Sequence, residues 1–156
     1  MNGLSKRNYD VITGLFARSA AGQNILDLFH DEAVWRVPGN WVVSGNYSKA
    51  DLPAFFERVF AVMKRPPEFT LHHIISDGDC VAVDATSSGV FADGEPFSAD
   101  YHFLFVLKDG LVIEAKEHVD SEKMARLLTP RLAVSARRCL SNEAALPQRS
   151  GLSKLG

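Results

Sequence analysis

Apolar residues recur at helical spacing in the first part of the chain and at strand spacing in the second part. Within residues 6–20, Ile12 and Leu15 fall on the same side of a helix. Residues 52–63 repeat this pattern with larger side chains, and Ser48 precedes them as a helix cap. The predicted elements are a helix over 6–20, a short helix around 25–29, a strand over 33–37, a loop over 38–48 and a third helix that ends at Pro66.

The second part of the chain reads as a series of β-strands. Two of the separators between them are Asp-Gly pairs, Asp77-Gly78 and Asp109-Gly110, which favour two-residue hairpin turns. The predicted strands cover 68–76, 79–91, 96–108 and 111–119, and a helix over 121–128 follows them.

This order of elements predicts an α+β fold, in which three N-terminal helices pack on a curved, mostly antiparallel sheet. Aromatic helices over a concave sheet face tend to enclose a pocket, where small molecules commonly bind. We expect one domain over 1–129 and a polar C-terminal tail over 130–156 that is partly helical.

The composition is that of an ordinary globular protein. The 156 residues are 46% hydrophobic and 23% charged, with a net charge of -2. This balance offers no basic surface for nucleic acid or acidic lipid, so neither is expected as a partner. The N-terminus lacks the apolar run of a signal peptide, and Cys80 and Cys139 are expected to be free thiols. We therefore expect a soluble, cytoplasmic protein.

The turn at Asp109-Gly110 sets an expected register between the last two strands. If this turn has two residues, Lys108 pairs with Leu111, and counting back places His102 opposite Glu117. Leu104 then lies on the same face as this pair. The expectation depends on the register, since a slip of one residue would move every side chain to the other face.

The same register gathers residues that can move protons. The preceding hairpin brings Asp84 or Ala85 alongside His102. In the first case Asp84 and His102 form a row with Glu117 across three strands, and Thr86 extends it. A histidine between carboxylates titrates near neutral pH and can accept and donate protons. The row is interpreted either as a catalytic group or as a surface ion pair or structural histidine.

The other face of the same strand carries three aromatic residues, Tyr101, Phe103 and Phe105. Such a cluster is unusual on a face that contacts only water. It predicts a homodimer through the outer sheet face, or cover by the C-terminal tail.

The sequence contains no recognisable metal or cofactor motif. None of the 5 histidines stands in an HxH or HExxH pattern. There is no phosphate-binding loop, GxGxxG motif or serine elbow. We therefore expect neither a metal nor a cofactor.

Four segments together resemble a known family. They are residues 28–39 (LFHDEAVWRVPG), 44–48 (SGNYS), 108–114 (KDGLVIE) and 116–120 (KEHVD). In this combination the chain resembles the SnoaL-like branch of the nuclear transport factor 2-like superfamily. The resemblance implies a cone-shaped α+β barrel with one deep pocket, which usually forms a homodimer through the outer face of its sheet.

The resemblance does not fix a reaction, because ketosteroid isomerases, polyketide cyclases and epoxide hydrolases share this fold. Against the isomerases, Val37 stands where the base aspartate is expected. The oxyanion-hole tyrosine falls near Leu15, and the protonated aspartate falls on His102. The chain therefore lacks the isomerase residues.

Other branches of the family match at the last strand only. The residues of the limonene epoxide hydrolases are replaced at Trp35, Val37, Asp84 and Thr86. Their acid on the last strand is kept in kind, as Glu117. Polyketide cyclases use an acid/base carboxylate on the last strands, for which Glu117 or Asp120 would stand.

These observations predict an enzyme without a cofactor that applies general acid–base chemistry to a small hydrophobic, cyclic or polyketide-like molecule, as an isomerase, dehydratase or cyclase. The expected catalytic residues are His102, Glu117 and Asp84. The expected substrate-binding residues are Trp35, Val37, Thr86, Phe16, Phe56, Phe60 and Leu104. The alternatives are a ligand-binding module without activity and a dimerisation module whose cone is filled.

Overall fold

The computed structural model describes the backbone of residues 2–144 and the side chains of residues 2–138. The elements in chain order are α1 (Gly3–Ala20), a single 3-10 turn (Leu26–Leu28), β1 (Phe29–Val37), β2 (Gly45–Ser48), α2 (Leu52–Phe60), β3 (Glu68–Asp77), β4 (Cys80–Val90), β5 (Pro96–Lys108), β6 (Leu111–Val119) and α3 (Ser121–Ala144).

The six strands form one curved sheet in the order β2-β1-β6-β5-β4-β3. Strand β1 runs parallel to β6, and all other neighbouring strands are antiparallel. The predicted α+β fold is confirmed. Two of the three predicted N-terminal helices are α-helices, and the middle one is the 3-10 turn. The predicted loop over 38–48 contains the short edge strand β2.

Helix α1 is held against the sheet by hydrogen bonds near its N-terminus and by its apolar side. Its first turn is capped by Asn2, whose side-chain oxygen accepts a hydrogen bond of 2.8 Å from the Ser5 backbone. Asn8 Nδ2 donates to the Gly78 carbonyl at 3.0 Å, and the Gly78 N–H donates to Ser5 Oγ at 3.1 Å. These bonds tie the helix to the β3–β4 turn, so its apolar side, with the fully buried Ile12, faces the sheet.

The β5–β6 hairpin begins as the sequence predicts and then departs from it. Asp109 and Gly110 have positive φ angles of 53° and 82°, as a two-residue turn requires, and Lys108 pairs with Leu111. A bulge follows, because Leu107 pairs with Val112 whereas Val106 pairs with Glu114. The extra residue shifts every later pair by one. The predicted pairing of His102 with Glu117 is therefore wrong.

Helix α3 continues well past the predicted end at residue 128. Met124, Leu128 and Leu132 are buried at helical spacing, and the helix passes through Pro130. Residues 145–156 of the predicted tail lie outside the described residues. Within residues 2–144 no helix has the length and apolar character needed to cross a membrane.

Arg131 fastens α3 to the hairpin between β4 and β5. Its guanidinium pairs with Asp93, at 2.8 Å from Nε to Oδ2, and with Glu95. It also lies over the Phe91 ring, 4.0 Å from the centroid. Only 16% of the Arg131 side chain is exposed, so these contacts are partly shielded from water.

We expect Arg131→Ala to lower the free energy of unfolding by about 1–2 kcal/mol, since it removes the contact with the Phe91 ring and the packing of a largely buried side chain. Arg126→Ala is the matched control on the same helix, because Arg126 is 71% exposed and pairs with the exposed Glu122. Its effect should stay within about 0.5 kcal/mol. Urea denaturation of both variants measures the difference, and equal effects would contradict this role of Arg131.

Candidate functional site

A cavity of about 90 Å³ lies between the inner face of the sheet and helices α1, α2 and α3. Its walls are mostly aromatic and aliphatic side chains, as in typical small-molecule sites. Four of the residues predicted to contact a substrate line it: Phe16, Trp35, Phe56 and Phe60. The cone is therefore not filled, which argues against a pure dimerisation module.

Glu117 places a carboxyl group in this apolar cavity. It lies on β6 directly opposite Phe103 and shares the inner face with the buried Ala115. Trp35 on β1 pairs with Ala115, which brings its indole Nε1 within 2.9 Å of Glu117 Oε2. Burial raises the pKa of Glu117 to about 7, and the hydrogen bond from Trp35 opposes part of that rise.

Tyr101 is the second polar group at the cavity wall. It pairs with Val119, two residues beyond Glu117 on β6. Burial raises the pKa of the Tyr101 phenol above its usual range, and the negative charge of Glu117 adds to the rise. Sequence reasoning missed this role, because the predicted register placed Tyr101 on the outer face.

The structure separates Glu117 from the other two predicted catalytic residues, Asp84 and His102. Asp84 and His102 are direct neighbours on β4 and β5, as one of the two predicted alternatives has it. Both lie on the outer face, and the next residue in their row is His118 instead of Glu117. His102 is exposed, and Asp84 Oδ2 lies 3.2 Å from His73 Nδ1. The predicted row across one pocket face is wrong, because the bulge in β6 turns Glu117 inward.

Three predicted substrate-binding residues also lie away from the cavity. Thr86 is on the outer face, where its hydroxyl donates to Asp100 at 2.9 Å. Leu104 is 38% exposed on the same face. Val37 is buried in the core at the end of β1, outside the set of residues that line the cavity. The prediction that these three residues line the pocket is therefore wrong. For Thr86 and Leu104 the cause is again the strand register, which puts them on the outer face with His102.

The predicted aromatic interface faces inward. Phe103 and Phe105 are buried, and the ring of Phe16 on α1 packs against them at 5.5 and 6.2 Å. The chain's own first helix thus covers the aromatic residues that suggested a partner. A homodimer stays a prediction, and Tyr101, Phe103 and Phe105 do not support it.

The outer face carries several exposed histidines and acids, but they do not gather into a metal centre. Among residues with described side chains, no group of three His, Cys, Asp or Glu is arranged to hold a metal ion. The polar groups at the cavity wall include Glu117, Tyr101 and the Trp35 indole. A carboxyl and a phenol at an apolar wall can accept or donate hydrogen bonds to a ligand.

We expect Trp35→Phe to raise the pKa of Glu117, because the indole hydrogen bond that favours its ionised form is lost. Trp41→Phe is the matched control, since Trp41 also lines the cavity but its indole donates to the Pro38 carbonyl. Carbon-13 NMR titration of the Glu117 carboxyl measures both. A titration midpoint that is unchanged in Trp35→Phe would contradict the assigned contact.

Solved structures similar to this chain share its fold. Bal32a, from a soil-derived mobile gene cassette, is 20% identical with a TM-score of 0.72, covering 81% of this chain and 99% of its own. TerC, crystallised with polyporic acid, is 20% identical with a TM-score of 0.71, covering 79% and 98%. A protein of Jannaschia sp. CCS1, assigned as a SnoaL-like polyketide cyclase, is 20% identical with a TM-score of 0.68, covering 82% and 95%. At these identities the likeness shows the fold alone.

A sequence comparison with curated proteins finds no match. The family model of the SnoaL-like domain matches residues 10–115, which is more than half of the chain. This range contains most of α1, the cavity walls on α2 and most of the sheet. With its nuclear transport factor 2-like fold, the chain belongs to the family of SnoaL-like domains.

Proposed function

We propose that this protein is an enzyme that moves a proton on a small hydrophobic substrate, with Glu117 as the general acid and base. The observation that carries the proposal is the carboxyl group of Glu117, held by Trp35 inside an otherwise apolar cavity. With its pKa near 7, this group is ionised in part of the molecules and protonated in the rest at neutral pH. A proton-transfer catalyst works best in that range.

The ionised form of Glu117 would act first. It accepts a proton from a carbon atom next to a substrate carbonyl, and the electron pair of the C–H bond moves toward the carbonyl oxygen. The protonated form then returns the proton to another carbon, or gives it to a departing hydroxyl. The first outcome is an isomerisation and the second a dehydration. In an aldol-type cyclisation the enolate attacks a second carbonyl, and Glu117 gives its proton to the new alkoxide. Trp35 holds one carboxyl oxygen throughout and leaves Oε1 for the substrate.

The walls of the cavity support a cyclic or aromatic substrate. Phe56 and Phe60 stack nearly parallel at 5.8 Å, and Trp35 meets Phe56 edge-on at 5.5 Å. Such rings bind flat apolar molecules by contact area and ring stacking. Two of the similar structures support the same class, one named as a polyketide cyclase and one holding polyporic acid, although each statement concerns that protein alone.

Deuterium uptake from D2O into cyclic ketones, followed by NMR, tests this proposal without a known substrate. We expect 3-cyclohexenone to exchange the protons next to its carbonyl, and to convert to the conjugated ketone, faster with the protein than in buffer. A ligand-binding module without activity is the second candidate, favoured by Val37 where relatives carry a base. Binding of cyclic ketones without any exchange above buffer would support that candidate instead.

A further inference from the structure

The Tyr101 hydroxyl is a hydrogen-bond donor that the folded chain leaves available. Tyr101 lines the cavity, and the Ser87 side chain lowers the pKa of its phenol by hydrogen bonding. A bond with that effect is donated to the phenol oxygen, so the Tyr101 proton stays available to a ligand. Tyr47 provides the contrast within the same protein. Its hydroxyl donates to the Val43 carbonyl at 2.7 Å, so its proton is already engaged.

Behind Tyr101 lies a second buried polar group, the hydroxyl of Ser87. Ser87 is 1% exposed on the inner face of β4, and its Oγ makes no hydrogen bond of standard geometry within the described residues. It lies near enough to the Tyr101 hydroxyl to lower the pKa of that group, against the larger effect of burial. A buried hydroxyl costs free energy unless it finds a partner, and the Tyr101 oxygen is a partner within its reach.

Strand register places Tyr101 and Glu117 on two sides of the same space. Phe103 pairs with Glu117 and Tyr101 pairs with Val119, so Tyr101 and Glu117 are diagonal neighbours on the inner face. Such neighbours have Cβ atoms roughly 7–8 Å apart. A substrate carbonyl placed between the two side chains would have its oxygen toward Tyr101 and its adjacent C–H toward Glu117.

We infer that Tyr101 donates a hydrogen bond to the carbonyl oxygen of the substrate, while Ser87 donates to the Tyr101 oxygen and holds it in place. The inference rests on the proposed function and narrows its substrate class to ketones and related carbonyl compounds. As Glu117 takes the proton, the electron pair moves to the carbonyl oxygen, where the Tyr101 hydroxyl stabilises the negative charge. Two donors in series polarise each other and strengthen this bond. Tyr101 is then a catalytic residue, and Ser87 is a positioning residue.

Two ligands of the same shape test the inference by binding alone. Acetophenone has a carbonyl oxygen where α-methylstyrene has a methylene carbon, and neither can donate a hydrogen bond. We expect Tyr101→Phe to raise the Kd of acetophenone about tenfold while the Kd of α-methylstyrene stays the same. Ser87→Ala should raise the Kd of acetophenone about threefold. Tyr47→Phe is the matched control, which removes a hydroxyl near Glu117 and should change neither ligand.

A spectroscopic signal accompanies the affinities. The carbonyl carbon-13 resonance of labelled acetophenone should move downfield in the native protein, and this shift should be lost in Tyr101→Phe. The inference would be overturned if Tyr101→Phe left the ratio of the two Kd values unchanged. It would also be overturned if acetophenone did not bind to the native protein. None of these results depends on turnover. Loss of exchange activity in Glu117→Gln tests the proposed function separately.

Discussion

Replacing Glu117 by Gln should reduce ketone exchange by about 10²- to 10⁴-fold, the range that a positioned acid or base contributes. Glutamine keeps the size of the side chain, and its amide oxygen can still accept the Trp35 hydrogen bond seen at 2.9 Å. It cannot take up or release a proton at neutral pH. Deuterium uptake by 3-cyclohexenone, measured at saturating ketone, gives the rate, and the Kd of acetophenone shows whether the cavity is intact.

Glu114→Gln is the matched control for this experiment. Glu114 lies on the same strand, β6, but on the outer face, where Arg36 Nε contacts it at 3.2 Å. Its substitution should leave the exchange rate within about twofold of the native value, since an exposed ion pair contributes little. Exchange that survives in Glu117→Gln, or falls equally in both variants, would remove Glu117 from the mechanism.

The second large effect concerns stability and pH. Burial raises the pKa of Glu117 from 4.5 to about 7, so the folded protein holds a proton that the unfolded chain has already released. The free energy of unfolding should therefore decrease as pH rises between these two values, since the folded state binds more protons in this range. A shift of this size corresponds to about 3 kcal/mol. This contribution is fully present below pH 4.5 and is lost above pH 7.

Urea denaturation of the native protein and of Glu117→Gln over this pH range measures the effect. All other titrating groups are common to the two proteins, so the difference between their unfolding free energies isolates Glu117. As pH rises, we expect the native protein to lose about 3 kcal/mol of unfolding free energy relative to Glu117→Gln. A constant difference across the range would mean that Glu117 is solvated in the folded protein.

The sequence predicted the sheet well, because local signals define it. Two Asp-Gly pairs and alternating apolar residues placed the strands β3 to β6 within one or two residues of their observed bounds. Helix α3 was predicted too short, since it was expected to end at residue 128, two residues before Pro130. The helix continues because Arg131 and Leu132 anchor the following turn to the hairpin and to the core. Such tertiary contacts override a local helix-breaking signal.

The candidate site was predicted only in part, and a single residue explains why. One extra residue on β6, between Val112 and Glu114, shifts the pairing with β5 by one position. Glu117 therefore shares a face with Tyr101 and Phe103 instead of His102, and nothing in the turn sequence signals this shift. The pattern on β5 carried the missing information. Tyr101, Phe103 and Phe105 are too apolar for solvent, whereas His102 on the opposite face suits it. Giving this pattern more weight than the turn would have placed Tyr101 in the cavity and His102 outside it.

Carbon-13 NMR titration of the Glu117 side-chain carboxyl, assigned by comparison with Glu117→Gln, tests the central claim most directly. The claim is that a buried carboxyl in the cavity exchanges protons near neutral pH. A midpoint near 7 that moves when acetophenone binds is the predicted result. A midpoint near 4.5 that is unaffected by the ketone would contradict it, because Glu117 would then be an ordinary solvated carboxylate.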